Sequence, residues 1–413
     1  CIRDRGYRGQ LNKRCVTLAE VLKTAGYRTY MSGKWHVTRN IGSQGPRDQW
    51  PRQRGFDRFY GTLTGAGSFF DPASLCRGNK LVTPENDSEY QPERFYYTDA
   101  ISHNAVRFVD DHFRKDRETP FFLYVSYTTA HWPMHAREEE IKKYQQEYRG
   151  GFEPIRAERY RRAVASGVIQ ADWKMSPADV KWDHVQHPQW EIRNMQVYAA
   201  MVDRMDQGIG WLVESLRRNQ ALDNTLVIYL QDNGGCAEGY GRRSNLDKIR
   251  DQVYRPMGPD ALQSKIWPPM QTRDGRAVQT GPDVVAGGPE TFIAYGRGWA
   301  NVSNTPFRGY KHDALEGGIS TPLIAHWPDG IKRDQWNSIV ETPCHLIDVM
   351  PTLVNLSTAK YPRQVDGIPI QAMEGVDLSP CFRGAAINRQ SPIGFEHHGN
   401  LALRDGDWKL VST

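Results

Sequence analysis

An apolar run at residues 225–230, TLVIYL, constrains the fold of this chain more than any other feature. The run is rich in β-branched and aromatic residues and has turn-forming residues on both sides, which predicts a short, fully buried strand. Gln231, Asp232 and Asn233 follow it directly. Ligands bind at the carboxyl ends of strands in open α/β sheets, and a carboxylate beside a carboxamide suits Ca²⁺ or Mg²⁺. A simple turn that ends the strand is the alternative.

The same order of helical pattern, apolar strand and polar tip occurs twice earlier in the chain. A strand at 27–31 is followed by Lys34 and His36, and a strand at 121–127 is followed by His131. Repeated helix–strand units predict an α/β fold with a mostly parallel central sheet and helices on both faces, and parallel strands end at one edge. We therefore expect the polar residues at the three tips to converge on one site. They are Lys34, His36, His131, Asp232 and Asn233.

Each of these groups also has an ordinary structural explanation when it is taken alone. Lys34 and His36 share one face of an extended segment and could simply be exposed. His131 could be a structural histidine with satisfied hydrogen bonds. Lys311 lies in a polar loop, where a solvated charge cluster is the alternative, and the adjacent histidines at 397–398 could be exposed in a turn.

The composition narrows the class of protein without deciding its function. Of the 413 residues, 39% are hydrophobic and 24% are charged, which predicts a packed core rather than disorder. A net charge of +5 with a pI of about 8.8 is too small and too scattered for nucleic-acid binding, although it suits an anionic substrate. No apolar run approaches the roughly 20 residues of a membrane span. The six cysteines include no CxxC pair, so they are expected to be buried thiols with room for one or two disulfides.

The pattern divides the chain into a large and a small part. Residues 1–366 are predicted to form a catalytic domain, and the turns and short strands of 367–413 predict the start of a small C-terminal subdomain with an antiparallel sheet. The polar residues 138–189 are predicted to lie outside the central sheet. The chain starts at Cys1 and ends within a strand-like pattern, so we expect a fragment of a longer protein.

The predicted site combines cations, imidazoles and metal-binding oxygens. Lys34 and Lys311 would hold a tetrahedral oxyanion, and a hard cation would polarise it. A lysine or a histidine could protonate a leaving oxygen. This combination is typical of the hydrolysis of a sulfate or phosphate ester, although the set contains no nucleophile.

The segments that carry these residues resemble the type I, formylglycine-dependent sulfatases, with the bacterial arylsulfatase A-like group most similar. The resemblance runs from about residue 9 to residue 409 and implies an alkaline-phosphatase-like α/β fold and a sulfuric ester hydrolase. Its motifs are SGKWH at 32–36, AHWP at 130–133, DNGGCAE at 232–238, NTPFRGYKHDALEGGISTPLIAHWP at 304–328 and IDVMPTL at 347–353.

The resemblance implies roles for the residues at two of the strand tips. Asp232 and Asn233 would be two of the ligands of one Ca²⁺ ion. Lys34 would contact both the nucleophile and the sulfate. His36 would take a proton from the hydrated formylglycine when sulfate is expelled.

The resemblance also implies which residues bind the leaving group and which molecules the protein interacts with. His131 and Lys311 would bind sulfate oxygens and help to protonate the leaving alcohol, and His397 in the loop 396–400 would face the substrate. The substrate would be a sulfated small molecule or a sulfated sugar, and a formylglycine-generating enzyme would mature the protein. By family resemblance the protein would be secreted or periplasmic.

Two features of that family are absent from this sequence. One is an upstream strand that ends in a pair of aspartates, which complete the Ca²⁺ site, and the other is a C-x-P-x-R segment whose cysteine becomes formylglycine. Cys1 and Arg5 have the right separation for the second feature, but Arg3 replaces the proline. We therefore expect formylglycine to arise from a cysteine upstream of this chain and the fragment alone to be inactive.

Two other functions stay open at this point. The chain could belong to a related phosphoryl or phosphonate monoester hydrolase, because the same groups hold a phosphate. It could also be a non-catalytic relative that only binds sulfated ligands. The sequence does not identify the substrate.

Overall fold

The computed structural model describes residues 9–412, so Cys1, Arg3 and Arg5 lie outside the described residues. The strands are β1 (Arg28–Gly33), β2 (Arg58–Thr62), β3 (Leu75–Arg77), β4 (Lys80–Leu81), β5 (Phe121–Ser126), β6 (Val227–Leu230), β7 (Leu323–His326), β8 (Gln364–Val365), β9 (Ile368–Pro369), β10 (Ile393–His397), β11 (Asn400–Asp405) and β12 (Trp408–Ser412). The α-helices are α1 (Leu18–Leu22), α2 (Tyr97–Lys115), α3 (Glu138–Lys142), α4 (Phe152–Ala165), α5 (Pro188–Arg218), α6 (Leu246–Ile249), α7 (Gly296–Ser303), α8 (Glu316–Ile319) and α9 (Val349–Ser357).

Local sequence signals set the entry into the first strand. The Thr17 hydroxyl accepts from the Glu20 amide at 3.1 Å, and the Glu20 carboxylate accepts from the Thr17 amide at 2.6 Å, which completes a capping box for α1. A short 3₁₀ turn follows and ends at Gly26, whose φ of 82° suits glycine. The chain then passes directly into β1.

The central sheet has the strand order β4-β3-β2-β1-β5. β1 pairs in parallel with β2 and with β5, whereas β3 and β4 add an antiparallel edge. Side chains alternate across this sheet, so Tyr30 and Met31 belong to separate buried clusters. The mostly parallel arrangement predicted from the repeated helix–strand pattern is confirmed for these strands.

Helices cover both faces of the central sheet, as predicted. On the face of Tyr30, α2 and α5 pack together, and Arg204 of α5 binds Asp99 of α2 through two hydrogen bonds of 2.6 and 2.9 Å. On the opposite face, α1 packs against α9. Phe108 of α2 is 2% exposed, and burying such a side chain stabilises the fold by about 1.5–3 kcal/mol.

β6 departs from its prediction as a fully buried central strand. Its four residues are half-buried, and it pairs in antiparallel fashion with β7, as a two-stranded sheet within residues 9–412. The physical reason is that no described strand pairs with its other edge. A purely apolar run indicates burial of side chains but carries no information about the strand on either side.

The C-terminal region contains antiparallel sheet, as predicted. β10, β11 and β12 form a three-stranded meander, and β8 pairs with β9. The domain boundary at residue 366 stays a prediction. The polar region 138–189 contains α3 and α4 and adds no strand to the sheets of the described chain. Among the described residues, no helix combines the length and apolar character needed to cross a membrane.

Candidate active site

The tip of β1 is fixed tightly against the end of β5. The Lys34 amide donates to the Ser126 carbonyl at 2.8 Å, and the Ser126 hydroxyl donates to the Lys34 carbonyl at 2.6 Å. Gly33 has a φ of 125°, and a Cβ there would lie 2.0 Å from the Ser126 carbonyl oxygen. Only glycine therefore permits this close approach of the two strands, which sets the position of Lys34.

Lys34 and His36 flank a buried tryptophan, and the backbone at His36 has a φ of 56°, so the predicted extended segment does not continue through it. Trp35 is 9% exposed, and its indole N–H donates to the Gln49 carbonyl at 2.7 Å. The His36 ring packs against Gly65, where a Cβ would lie 2.3 Å from two of its ring atoms. The ring is still partly open to solvent, yet burial of the remainder, together with the charge of Lys34, lowers the pKa of His36 to about 4.

His131 follows β5 and has a defined tautomer. Its Nδ1 lies 2.7 Å from the Trp132 carbonyl oxygen, which can only accept, so Nδ1 carries the proton. Nε2 therefore presents a lone pair, and the Lys311 ammonium lies 3.5 Å from it. Burial and the charges of Lys311 and Lys34 lower the pKa of His131 to about 3. The imidazole is neutral at pH 7.

Lys311 reaches this position because its loop is tied to the segment after β6. The Lys311 amide donates to the Gly235 carbonyl at 3.1 Å. Asn304 is buried and bridges both segments, since its side chain accepts from the Gly235 amide at 2.7 Å and donates to the Gly309 carbonyl at 2.9 Å. Asn304 was not singled out from the sequence, because its role depends on partners far along the chain.

Asp232 and Asn233 lie at the end of β6, as predicted. Asp232 is exposed, but its carboxylate is near enough to Lys34 to raise the pKa of that ammonium. Burial is the larger effect on Lys34 and, together with Lys311, lowers its pKa overall. Within residues 9–412 the Asp232 carboxylate accepts no hydrogen bond, and Asn233 uses its amide N–H on the Gly234 carbonyl at 2.8 Å. Their side-chain oxygens are therefore available to a cation.

The structure thus brings the predicted tips together. Lys34, His131 and Lys311 act on one another electrostatically, and Asp232 acts on Lys34. Two ammonium groups around a neutral imidazole form a site for an anion, because a bound anion relieves the repulsion between the cations. His397 contacts this group of residues through His312, the residue after Lys311. Its Nε2 lies 2.8 Å from Nδ1 of His312.

Glu238 is the second residue of the site whose role the sequence did not reveal. Its carboxylate accepts from the Trp132 indole N–H at 2.8 Å and from the Cys236 thiol at 2.9 Å, and it lies 3.7 Å from the Lys311 ammonium. Burial acts to raise the pKa of Glu238, but these contacts and His312 outweigh it and lower the pKa to about 2. A permanent anion therefore orients Lys311. Glu238 is the last residue of the motif DNGGCAE, but its position in the sequence does not indicate that it contacts Trp132, Lys311 and His312.

Sequence comparison decides the family. The family model described as Sulfatase matches residues 3–359. The chain belongs to the sulfatase family. This sulfatase is 30% identical over 424 residues to an uncharacterized sulfatase of Schizosaccharomyces pombe, covering 98% of this chain and 70% of that one. It is 29% identical over 400 residues to an arylsulfatase of Klebsiella aerogenes, covering 94% of this chain and 77% of that one. The predicted sulfuric ester hydrolase is confirmed at this level.

Solved structures confirm the fold of the sulfatase. Ps i-CgsB in complex with k-i-k-neocarrahexaose matches with a TM-score of 0.60 at 21% identity, over 98% of this chain and 68% of that chain. BT4656 in complex with its substrate D-glucosamine-2-N,6-O-disulfate matches with a TM-score of 0.55 at 17% identity, over 99% and 74% of the two chains. The α/β fold is therefore alkaline-phosphatase-like, as the resemblance implied.

Proposed function

We propose that this sulfatase hydrolyses its ester with Lys34, Lys311 and His131 around the sulfate group, His36 as the proton acceptor, and Ca²⁺ at Asp232 and Asn233. The observation that supports this most is the 3.5 Å approach of the Lys311 ammonium to Nε2 of His131. Lys34 acts on the same imidazole, and two cations beside one neutral ring favour the binding of an anion there.

The two lysines are assigned to the sulfate oxygens. A sulfate ester carries its negative charge on oxygens that accept charge-assisted hydrogen bonds, each contributing about 1.5–3 kcal/mol. Burial lowers the pKa of Lys34, and an anion beside it acts in the opposite direction by favouring the charged form. The Glu238 carboxylate lies 3.7 Å from the Lys311 ammonium, which limits how far the ammonium can move when the ester departs.

His131 and Lys311 are assigned to the leaving group. Without a bound anion His131 is neutral, because burial and two lysines lower its pKa to about 3. An anion bound between those lysines offsets their charges and raises that pKa. Nε2 can then carry a proton toward the leaving oxygen while Nδ1 stays bonded to the Trp132 carbonyl, and the Lys311 ammonium is the nearest donor to supply it.

His36 is assigned as the base. With a pKa of about 4 its ring is neutral at pH 7 and able to accept a proton. Formylglycine, formed from a cysteine upstream of this chain, would supply the nucleophile. Its place beside His36 and Lys34 rests on the family resemblance.

The donors at the end of β6 fit a hard cation. Asp232 and Asn233 offer two hard oxygens at one strand end, which fits Ca²⁺, whereas a soft metal would require thiolate or imidazole ligands. Ca²⁺ takes six to eight oxygen ligands, so these two residues would supply only part of its shell. When bound, the ion would polarise a sulfate oxygen.

The decisive experiment uses the product of the complete reading frame, matured with a formylglycine-generating enzyme. Hydrolysis of an aryl sulfate should fall by ~10²-fold or more when Ca²⁺ is removed by a chelator and should recover when Ca²⁺ is restored. Asp232→Ala should abolish the recovery. Asp223→Ala removes an exposed carboxylate at the other end of the same apolar run and should leave it intact.

Two results would contradict the proposal. Chelator-resistant turnover, or recovery that persists in Asp232→Ala, would remove the cation from this strand end. Faster hydrolysis of an aryl phosphate than of the matching aryl sulfate would favour a phosphoryl hydrolase instead.

The substrate is proposed as a sulfated small molecule or a sulfated sugar. The support for a sugar is that BT4656, which shares the fold, is bound to glucosamine disulfate. A secreted or periplasmic location is proposed from the family resemblance alone.

A further inference from the structure

Three histidines meet beside Lys311, and of these only His397 was expected from the resemblance to face the substrate. His312 follows Lys311 in the loop, His397 ends β10, and His398 occupies the turn between β10 and β11. One ring nitrogen from each lies within 4.8 Å of those of the other two. His312 and His397 are half-buried and His398 is exposed, so the cluster opens to solvent on one side.

The nitrogen–nitrogen distances in this histidine cluster are close to those between the ligands of one metal ion. Nδ1 of His312 and Nε2 of His397 lie 2.8 Å apart. A tetrahedral ion with metal–nitrogen bonds of 2.0–2.1 Å separates its ligand nitrogens by about 3.3 Å. A shift of about half an ångström between these two rings would therefore fit them to an ion, and the His398 nitrogen, within 4.8 Å of both, would move closer to complete the set.

A carboxylate behind the cluster fixes the tautomer that a ligand needs. Nε2 of His312 lies 3.2 Å from Glu238 Oε1, an acceptor, so Nε2 carries the proton of the neutral ring. Nδ1 of His312 then presents its lone pair toward His397. Metal-binding histidines usually donate their second N–H to a carboxylate or carbonyl in this manner, which orients the ring and increases its basicity.

The two half-buried ligands are also held by a common backbone clamp. The Asn400 side-chain amide donates to the His312 carbonyl at 3.1 Å and to the His397 carbonyl at 3.2 Å. An ion pair of 2.6 Å between Lys409 of β12 and Glu316 of α8 joins the same two regions of the chain. The hairpin and the loop are thus aligned without any ion.

We propose that His312, His397 and His398 bind one divalent transition-metal ion, with zinc as the expected occupant. Three imidazoles suit Zn²⁺, whereas Ca²⁺ requires oxygen ligands, so this site differs in chemistry from the pair Asp232 and Asn233. Three protein ligands leave the fourth position to water or to an oxygen of a bound molecule. Glu238 contacts both His312 and Lys311, so the ion would lie next to the sulfate-binding lysine.

The test is a metal titration that involves no substrate. The untagged protein is stripped with a chelator, returned to excess Ca²⁺ to fill any oxygen site, and titrated with Zn²⁺ by calorimetry and with Co²⁺ by visible absorption. We expect one ion per chain at the cluster, with the intense visible bands of a tetrahedral Co²⁺ centre. His397→Ala and His398→Ala should each remove that binding event.

One variant that should weaken Zn²⁺ binding and one control variant that should leave it unchanged complete the titration. Glu238→Gln keeps the shape of the carboxylate but weakens its hold on the His312 N–H, so the Zn²⁺ affinity should fall about 10–100-fold. His184→Ala removes an exposed histidine outside the cluster and should change neither the stoichiometry nor the affinity.

The outcomes separate the proposal from the sulfatase chemistry. If His398→Ala, a change at an exposed turn position, keeps the wild-type stoichiometry and thermal unfolding, the ion binds elsewhere and the proposal is wrong. Absence of Zn²⁺ binding to the wild-type protein overturns it equally. Neither result depends on turnover, so a failure here leaves the assignment of Lys34, His131 and Lys311 intact.

Discussion

His131 and His135 lie on one short segment, yet they belong to two different regions of the molecule. His131 is half-buried at the strand tips, with Nδ1 bonded to the Trp132 carbonyl at 2.7 Å and Nε2 facing Lys311. His135 is 1% exposed in the core. Its Nε2 donates to the Thr291 carbonyl at 2.7 Å, and its Nδ1 accepts from the Phe69 amide at 3.3 Å.

Both rings are neutral at pH 7, but for different reasons. Burial alone lowers the pKa of His135 to about 4, against a small opposing effect of its bond to Thr291. Burial lowers the pKa of His131 to about 3 with the help of two lysines. Burial cannot be removed without unfolding, whereas a bound anion offsets the lysine charges. The neighbour of the second ring nitrogen therefore distinguishes a histidine that can change its protonation from one that only supports the fold.

The first prediction tests whether His131 and Lys311, at the strand tips, take part in the reaction. His131→Ala and Lys311→Ala should each lower turnover of an aryl sulfate by ~10²-fold or more, because each removes a group from the sulfate and its leaving oxygen. The measurement is kcat of the matured, Ca²⁺-loaded enzyme, normalised to folded protein. His135→Ala is the control and should retain turnover per folded molecule.

A result near the wild-type rate for both variants would remove His131 and Lys311 from the reaction. Loss of turnover in His135→Ala with its fold intact would show that the two regions are not separate.

The second prediction tests whether His135, in the core, stabilises the fold more than His131 does. His135→Ala leaves the Phe69 amide and the Thr291 carbonyl without a partner in a buried place, so we expect it to lower the free energy of unfolding by about 2 kcal/mol or more. His131→Ala should change it by less than about 1 kcal/mol, because the ring is only half-buried and its contact with Lys311 is long, at 3.5 Å. The measurement is the shift of the urea midpoint for both variants. Equal shifts would contradict the distinction.

The sequence predicted the parts of the fold and site that depend on neighbouring residues. The capping box at Thr17 and the polar strand tips formed as expected, because each follows from local geometry, whereas the left-handed backbone at His36 was not predicted. The antiparallel pairing of β6 with β7 was not predicted, since those strands are separated by a long, irregular stretch of chain.

The missed residues of the site share one property, which is that their partners are distant in sequence. Glu238 contacts His312 across 74 residues, and Asn304 contacts Gly235 across 69. His312 and His397 approach each other across 85 residues, although each alone resembles an exposed loop histidine. Spacing patterns detect helices, strands and tips, but a long-range contact is fixed only when the whole chain packs.

The third prediction concerns the dependence of stability on pH. An unfolded histidine has a pKa of about 6.5, whereas the native values are about 3 for His131 and about 4 for His135. As the pH falls from 6.5 toward 4, the unfolded state binds protons that the native state does not. Stability is therefore lost in this window, by up to about 1.4 kcal/mol per pH unit for each ring.

Sulfate should separate the two rings in the same experiment. An anion held by Lys34 and Lys311 raises the native pKa of His131 toward its unfolded value and so flattens the pH dependence of unfolding, whereas buried His135 is unaffected. Urea midpoints between pH 7 and pH 5, with sulfate or with chloride at equal ionic strength, measure this. Sulfate should flatten the slope of the wild type more than that of His131→Ala, in which His36 still responds to the charge of Lys34. A flattening of equal size in His131→Ala would mean that sulfate acts on a different titrating group, and His131 would lose its place beside the bound anion.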